Sequence, residues 1–376
     1  MTRKENKAEA PENSEEVICR AQRLAALRRI MQEESLTAVL INGRVHTLWL
    51  SGFSGTESYL LITPEEQYIL TDSRYLEQAT QQASKFELVD ATSGHLPTTC
   101  NLINKLELTR LGMESAALSF GELIFIKENC PQVVPVPLGS ELSNLRRIKD
   151  NLELQNLRQA FALADEGFRR TLSFIKAGRT EKEIAATLEY NMRMLGADGP
   201  SFTTIVASGT RGALPHGVAT DKRIEPGEGI TIDFGALYAG YHSDLTRTVF
   251  LGEPSAEMRE IYETVLKAQL HCQTNLKAGM TGKEGDELAR KVIEDAGYGR
   301  YFRHSTGHSL GLEVHESPSL SPNNPDSLPA GILITVEPGI YIPGLGGVRI
   351  EDTVILSEDG ATSLTELPKE LLILPT

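Results

Sequence analysis

The sequence predicts an α/β N-terminal domain followed by an α+β C-terminal domain. Helical and strand patterns alternate between residues 17 and 145, a proline-rich stretch interrupts them, and beyond two further helices the chain turns strand- and glycine-rich. At roughly 150 residues per domain, a chain of 376 residues also suits two cores.

The elements follow in order. Residues 1–16 open on a basic cluster but continue acidic and polar where a secretory signal is apolar, so they read as a disordered tail. Residues 17–32 carry apolar side chains at helical spacing, and 37–41 form a short buried strand. A hairpin-like pair at 59–62 and 68–70 is joined by Thr-Pro-Glu-Glu. Residues 75–83 read as a helix, 86–89 as a strand and 120–129 as a helix. Prolines 131, 135 and 137 allow neither a helix nor a central strand, so the segment 131–137 marks the seam before a second domain. A long amphipathic helix is expected over 151–176, and Thr180 with Glu183 forms a capping box for a second over 181–195.

Composition excludes several function classes. Thirty-seven Lys and Arg against fifty-one Asp and Glu give a net charge of −14, without the clustered cations that nucleic-acid binding requires. No apolar run approaches the roughly 18 residues of a membrane span. Cys19, Cys100, Cys130 and Cys272 are widely spaced, which fits buried thiols in a reducing cytoplasm and excludes a cysteine-built zinc site.

Six of the eight histidines lie beyond residue 200, and chemistry is expected there. Residues 229–250 read as two strands about a glycine-containing turn. With that turn centred between Tyr238 and Ala239, Asp233 and Asp244 stand directly opposite, β-carbons roughly 5 Å apart, an unfavourable pairing unless a cation lies between them. Taken alone, the pair has a bland alternative, one Asp capping a turn and the other solvated. In His304-Ser-Thr-Gly-His308 the intervening residues disfavour a helix, so His304, His308 and His315 are expected on an irregular loop facing one cleft. Glu337 follows four residues of buried type and Pro338 holds it extended, while Arg349 and Glu351 share one face of a strand. Together Asp233, Asp244, Glu337, Glu351 and one histidine supply the charge that two divalent cations neutralise. The oxygen-rich donor set suits Mn²⁺ first, with Co²⁺, Zn²⁺ or Fe²⁺ also accommodated. Two such ions acidify a water between them, and the implied chemistry is hydrolysis.

These four segments, in this order and spacing, resemble metallopeptidase family M24, the pita-bread (creatinase/aminopeptidase) group, and within it the Xaa-Pro aminopeptidases and Xaa-Pro dipeptidases (prolidases). The resemblance covers the chain from about residue 17, more loosely in the N-terminal half, where Trp49-Leu-Ser-Gly-Phe-Ser-Gly55 and Thr71-Asp-Ser-Arg-Tyr75 carry it. It implies a creatinase/prolidase-type N-terminal domain over 17–145 and a pita-bread catalytic domain over 146–376. It makes Asp233 a ligand of one metal, Asp244 and Glu351 bridging ligands, and His308 and Glu337 ligands of the other. His216 and His315 match substrate-cleft histidines that orient the scissile carbonyl, and His304 a further substrate-pocket histidine. Glu337 is implied as the proton shuttle, and Tyr341 and Arg349 as groups hydrogen-bonded to the ligand carboxylates.

The sequence alone favours an Xaa-Pro aminopeptidase, acting on proline-containing peptides as a cytoplasmic homodimer by resemblance. Some microbial prolidases of this group carry an arginine in a His-Glu-x-Pro-Arg pattern, suited to a dipeptide's carboxylate. Here His315-Glu316-Ser317-Pro318-Ser319 has serine in its place. The alternatives are an Xaa-Pro dipeptidase, or a metal-binding interaction module without turnover.

Overall fold

The computed structural model describes residues 14–376. The tail expected at 1–16 therefore lies mostly outside the described residues, and its last three residues open a helix instead. The chain divides into two compact units, one ending at Leu145 and the other spanning Arg146–Thr376.

The first unit runs α1 (Ser14–Glu33), β1 (Ala38–Ile41), α2 (Arg44–Ser51), β2 (Tyr59–Ile62), β3 (Gln67–Thr71), α3 (Leu76–Gln82), β4 (Glu87–Asp90), α4 (His95–Lys105), β5 (Arg110–Glu114), α5 (Phe120–Asn129), β6 (Val134–Leu138) and α6 (Ser140–Leu145). Its strands form one mixed sheet in the order β4-β3-β2-β1-β5-β6. Central β1 is Ala-Val-Leu-Ile, buried throughout, the unbroken apolar run that a strand covered on both faces needs. The proline-rich stretch is not the seam itself. It supplies β6, parallel to β5 at the sheet edge, where a missing proline N–H faces no neighbouring strand.

The second unit runs α7 (Asn151–Leu172), α8 (Glu181–Leu195), β7 (Gly199–Pro200), β8 (Ile205–Ser208), β9 (Gly229–Phe234), β10 (Ala236–Tyr238), β11 (Tyr241–His242), β12 (Leu245–Leu251), α9 (Ala256–Asn275), α10 (Gly282–Asp295), β13 (Gly307–Ser309), β14 (Glu316–Leu320), β15 (Leu333–Val336), β16 (Gly339–Ile342), β17 (Gly346–Arg349), β18 (Asp352–Leu356), β19 (Ala361–Ser363) and β20 (Leu372–Leu374). Helix α7 stops four residues short of expectation. The half expected to be strand-rich also contains two long helices, α9 and α10, started by Ser255 and by a Thr281–Glu284 capping box. Met258, Ile261, Tyr262, Val265 and Cys272 recur along α9 at helical spacing and enter one core with Ile334, Val336, Ile340 and Val348. Each such fully buried side chain contributes about 1.5–3 kcal/mol relative to exposure.

One register differs from the sequence reading. Ala239 and Gly240 both have positive φ (49° and 84°), the requirement of a two-residue hairpin turn, so the turn is centred between them. Asp233 therefore faces Thr246, and Asp244 lies two residues away from that partner, in the break between β11 and β12. The two aspartates are diagonal neighbours, a spacing their side chains can still close.

Candidate metal centre

A cavity of about 580 Å³ opens in the second unit. Its wall includes His216, Asp233, Asp244, His304, His308, His315, Glu337, Arg349 and Glu351. The structure thus brings every residue expected at the site to one place, except Tyr341, which stands behind the wall.

The four carboxylate candidates arrive from at or near strand ends or breaks, where the backbone is held by the neighbouring ladder. Asp233 is near the end of β9, Asp244 precedes β12, Glu337 follows β15, and Glu351 lies between β17 and β18. Backbone bonds fix the last two, Glu337 N–H donating to the Thr306 carbonyl and Glu351 N–H to that of Thr246. His308 sits in β13, not on a helix, as its flanking residues predict. A Cβ at Gly307 would lie 1.8 Å from the Thr335 carbonyl oxygen, so only glycine lets β13 pack this closely against β15.

Asp233, Asp244 and Glu351 offer oxygens that all lie within 4.8 Å of one another. His308 Nε2 is 3.4 Å from Glu337 Oε1 and 3.7 Å from Asp244 Oδ2. Arg349 donates to Asp233 Oδ2 at 2.6 Å and through Nε to Thr246 Oγ1, and Thr246 donates to Glu351 Oε2 at 2.6 Å. The other oxygens of this pair, Asp233 Oδ1 and Glu351 Oε1, are buried without a hydrogen-bond partner. Tyr341 was expected on a ligand carboxylate, but its hydroxyl instead accepts from Arg349 and bonds His304 Nε2 at 2.9 Å. Arg349 is the nearer charged donor, and such bonds are the stronger ones.

Burial pushes the pKa of Asp233, Asp244, Glu337 and Glu351 upward; for Asp244 and Glu351 the neighbouring carboxylates push it further. His304, His308 and His315 are pushed down by burial. Burial also lifts Tyr341 to about 12, keeping its proton available for hydrogen bonding. One arginine does not balance this much buried negative charge. Two partnerless oxygens, mutually close carboxylates and an adjacent imidazole together form a donor set that fits divalent cations.

The histidine loops have anchors that the sequence reading missed. Asp286 on α10 accepts from Thr306 N–H and Oγ1 and is held by Arg290, which also donates to the carbonyls of Phe302 and His304. Buried Arg146 and Lys149 bond Glu316, beside His315, and Arg146 also bonds Glu313. The signal available was charge at positions otherwise patterned for burial, but its partners lie far away in the chain.

The model of metallopeptidase family M24 matches residues 155–358, and that of the Creatinase/Prolidase N-terminal domain matches residues 23–148. An Xaa-Pro dipeptidase of Pyrococcus furiosus is 41% identical over 356 residues, covering 93% of this chain and 99% of that one. Among solved structures, an Xaa-Pro dipeptidase from Bacillus anthracis superposes with a TM-score of 0.91 at 42% identity, covering 94% of this chain and all of that chain. An X-Pro aminopeptidase from Thermotoga maritima gives 0.87 at 41% identity, covering 90% and 98%.

Proposed function

The chain belongs to metallopeptidase family M24, and from that premise we propose that it is an Xaa-Pro dipeptidase, cleaving the bond before proline in two-residue peptides. It is a peptide hydrolase with a creatinase/prolidase-type N-terminal domain and a pita-bread domain. The carrying observation is the buried carboxylate and imidazole cavity, in a chain 41% identical to a dipeptidase across nearly its whole length.

In this reading Asp233, Asp244, His308, Glu337 and Glu351 would hold the divalent cations, with Mn²⁺ the first choice for an oxygen-rich set. Bound divalent cations supply Lewis-acid polarisation and acidify water. The protein's own groups do the rest. His216 and His315 donate N–H to the carbonyl oxygen as it gains charge, orienting the scissile bond. Glu337 carries the proton given up by the attacking water to the proline nitrogen, as the bond from that nitrogen to the carbonyl carbon breaks. That nitrogen bears no hydrogen before cleavage, so selection rests on the shape of the ring. His304, fixed by Tyr341 and the Ser305 carbonyl, lines the substrate pocket.

A second reading, Xaa-Pro aminopeptidase, is favoured by Ser319, which lies opposite His308 in the β13–β14 pair and stands where a dipeptide-binding arginine was expected. Arg349 is the one guanidinium on the cavity wall among the described residues, and Asp233, Tyr341, Thr246 and the Pro215 carbonyl already engage it. Products released from Ala-Pro and Ala-Pro-Ala, with Mn²⁺ and with a chelator, decide between the two. Mn²⁺-dependent cleavage of Ala-Pro with little on Ala-Pro-Ala is expected. Efficient release of alanine from Ala-Pro-Ala would establish the aminopeptidase, and no cleavage of either would overturn both readings.

A further inference from the structure

Glu181, the first residue of α8, is fully buried, an unusual place for a carboxylate on an otherwise amphipathic helix. Its Oε1 accepts from Ser208 N–H at 2.8 Å and Ser208 Oγ at 2.9 Å. Its Oε2 accepts from Arg211 at 2.6 Å, Thr220 N–H at 3.0 Å and Thr220 Oγ1 at 2.7 Å. One side chain thereby ties both ends of segment 208–220, the loop that brings Pro215, His216 and Val218 to the cavity wall. Arg211 extends the clamp inward by donating to the Val218 carbonyl. From the far side Arg349, the partner of Asp233, donates to the Pro215 carbonyl at 3.1 Å. Around His216 the regular structure is slight, a 3-10 turn over Gly209–Ala213 and a single bridge from Val218 to Ile205, and the Glu181 and Arg349 ties join these in setting its place.

We propose that Glu181 is a positioning residue for His216, fixing the loop so that the imidazole meets the scissile carbonyl. The proposal rests on the reading of His216 given above. A carboxylate is needed because all five groups are donors. An amide has a single acceptor oxygen, and whichever way it turns its NH₂ meets N–H donors at Ser208 or at Arg211 and Thr220. An unmade buried bond of this kind loosens one loop without unfolding the unit.

The test is a double-mutant cycle on the metal-loaded enzyme with Glu181→Gln and His216→Ala. Glu181→Gln is expected to lower kcat about 10- to 100-fold with bound metal unchanged. In the double variant it should add nothing to the loss caused by His216→Ala, because two residues acting as one unit are non-additive. Losses that multiply would overturn the proposal, since a general structural role is indifferent to His216. Hydrogen exchange on the metal-free protein gives an activity-independent readout: amides 209–220 should exchange faster in Glu181→Gln than in the wild type, and unchanged exchange there overturns the proposal. Should Glu181→Gln fail to fold, Thr220→Val removes one donor and runs the same cycle. A His216→Ala enzyme with wild-type turnover would sink the functional reading itself, leaving hydrogen exchange to judge whether Glu181 holds the loop.

Discussion

Asp233 illustrates how the centre is poised: one oxygen is held by Arg349 at 2.6 Å and the other is buried without a partner. Glu351 repeats the pattern, with Thr246 on one oxygen and nothing on the other. The two carboxylates are oriented by the protein yet left with free acceptor capacity, the preparation a cation site needs. The ligand candidates and the cleft histidines should therefore respond differently to truncation. Glu351→Ala is expected to abolish turnover and reduce bound metal. His315→Ala should retain metal and lose mainly kcat, by about 10²–10³-fold if it stabilises developing charge on the carbonyl. Metal content measured beside kcat separates the two, and loss of metal in His315→Ala would make that imidazole a ligand. Most site residues were legible as types, because charge is conspicuous where the pattern demands burial. Thr246, Asp286 and Thr335, whose hydroxyl accepts from His308 N–H and donates to Glu337, were not, since a buried threonine or a helix aspartate looks ordinary until its partner is known.

Strand ends and glycines set the geometry of the elements. The hairpin was recognisable from its glycines, but its register was not. Gly240 marks a turn without fixing its centre, and the positive φ of Ala239 as well as Gly240 moves that centre by one residue. The β9–β12 pairing then shifts by two, putting Thr246 opposite Asp233. Helices α9 and α10 lie within a stretch rich in glycine and strand patterns, although Thr281 and Glu284 form a capping box of the same kind as Thr180 with Glu183. The packing of β13 on β15 gives this scale its prediction. Gly307→Ala forces a Cβ against the Thr335 carbonyl, which is backbone and cannot rotate away. It should destabilise the protein by roughly 1–3 kcal/mol and displace His308, weakening metal binding. Denaturant midpoints and metal titration check both effects, and an unchanged metal affinity would mean that β13 does not set the position of His308.

At the scale of the molecule, the fold class and the ligand set were readable because the four motif segments lie in order along the chain, whereas the closure of the histidine loops depends on ion pairs such as Arg146–Glu316, 170 residues apart. Charge also governs how stability depends on metal. Without cations, the raised pKa values of Asp233, Asp244, Glu337 and Glu351 mean that the folded state holds protons the unfolded chain has released. Their contribution to stability is thus present at low pH and lost as pH rises through the folded values. Cations compete with those protons, so the gain in Tm on adding Mn²⁺ should be larger at about pH 8 than at about pH 5.5. A gain that does not grow with pH would contradict the carboxylate centre. The central claim, metal-dependent hydrolysis at this cavity, is tested most directly by stripping the protein with a chelator and titrating Mn²⁺ back while following Ala-Pro hydrolysis and bound metal together. Turnover should be absent in the stripped protein and reach its plateau at about two ions per chain. Full turnover in protein retaining almost no metal would contradict the account.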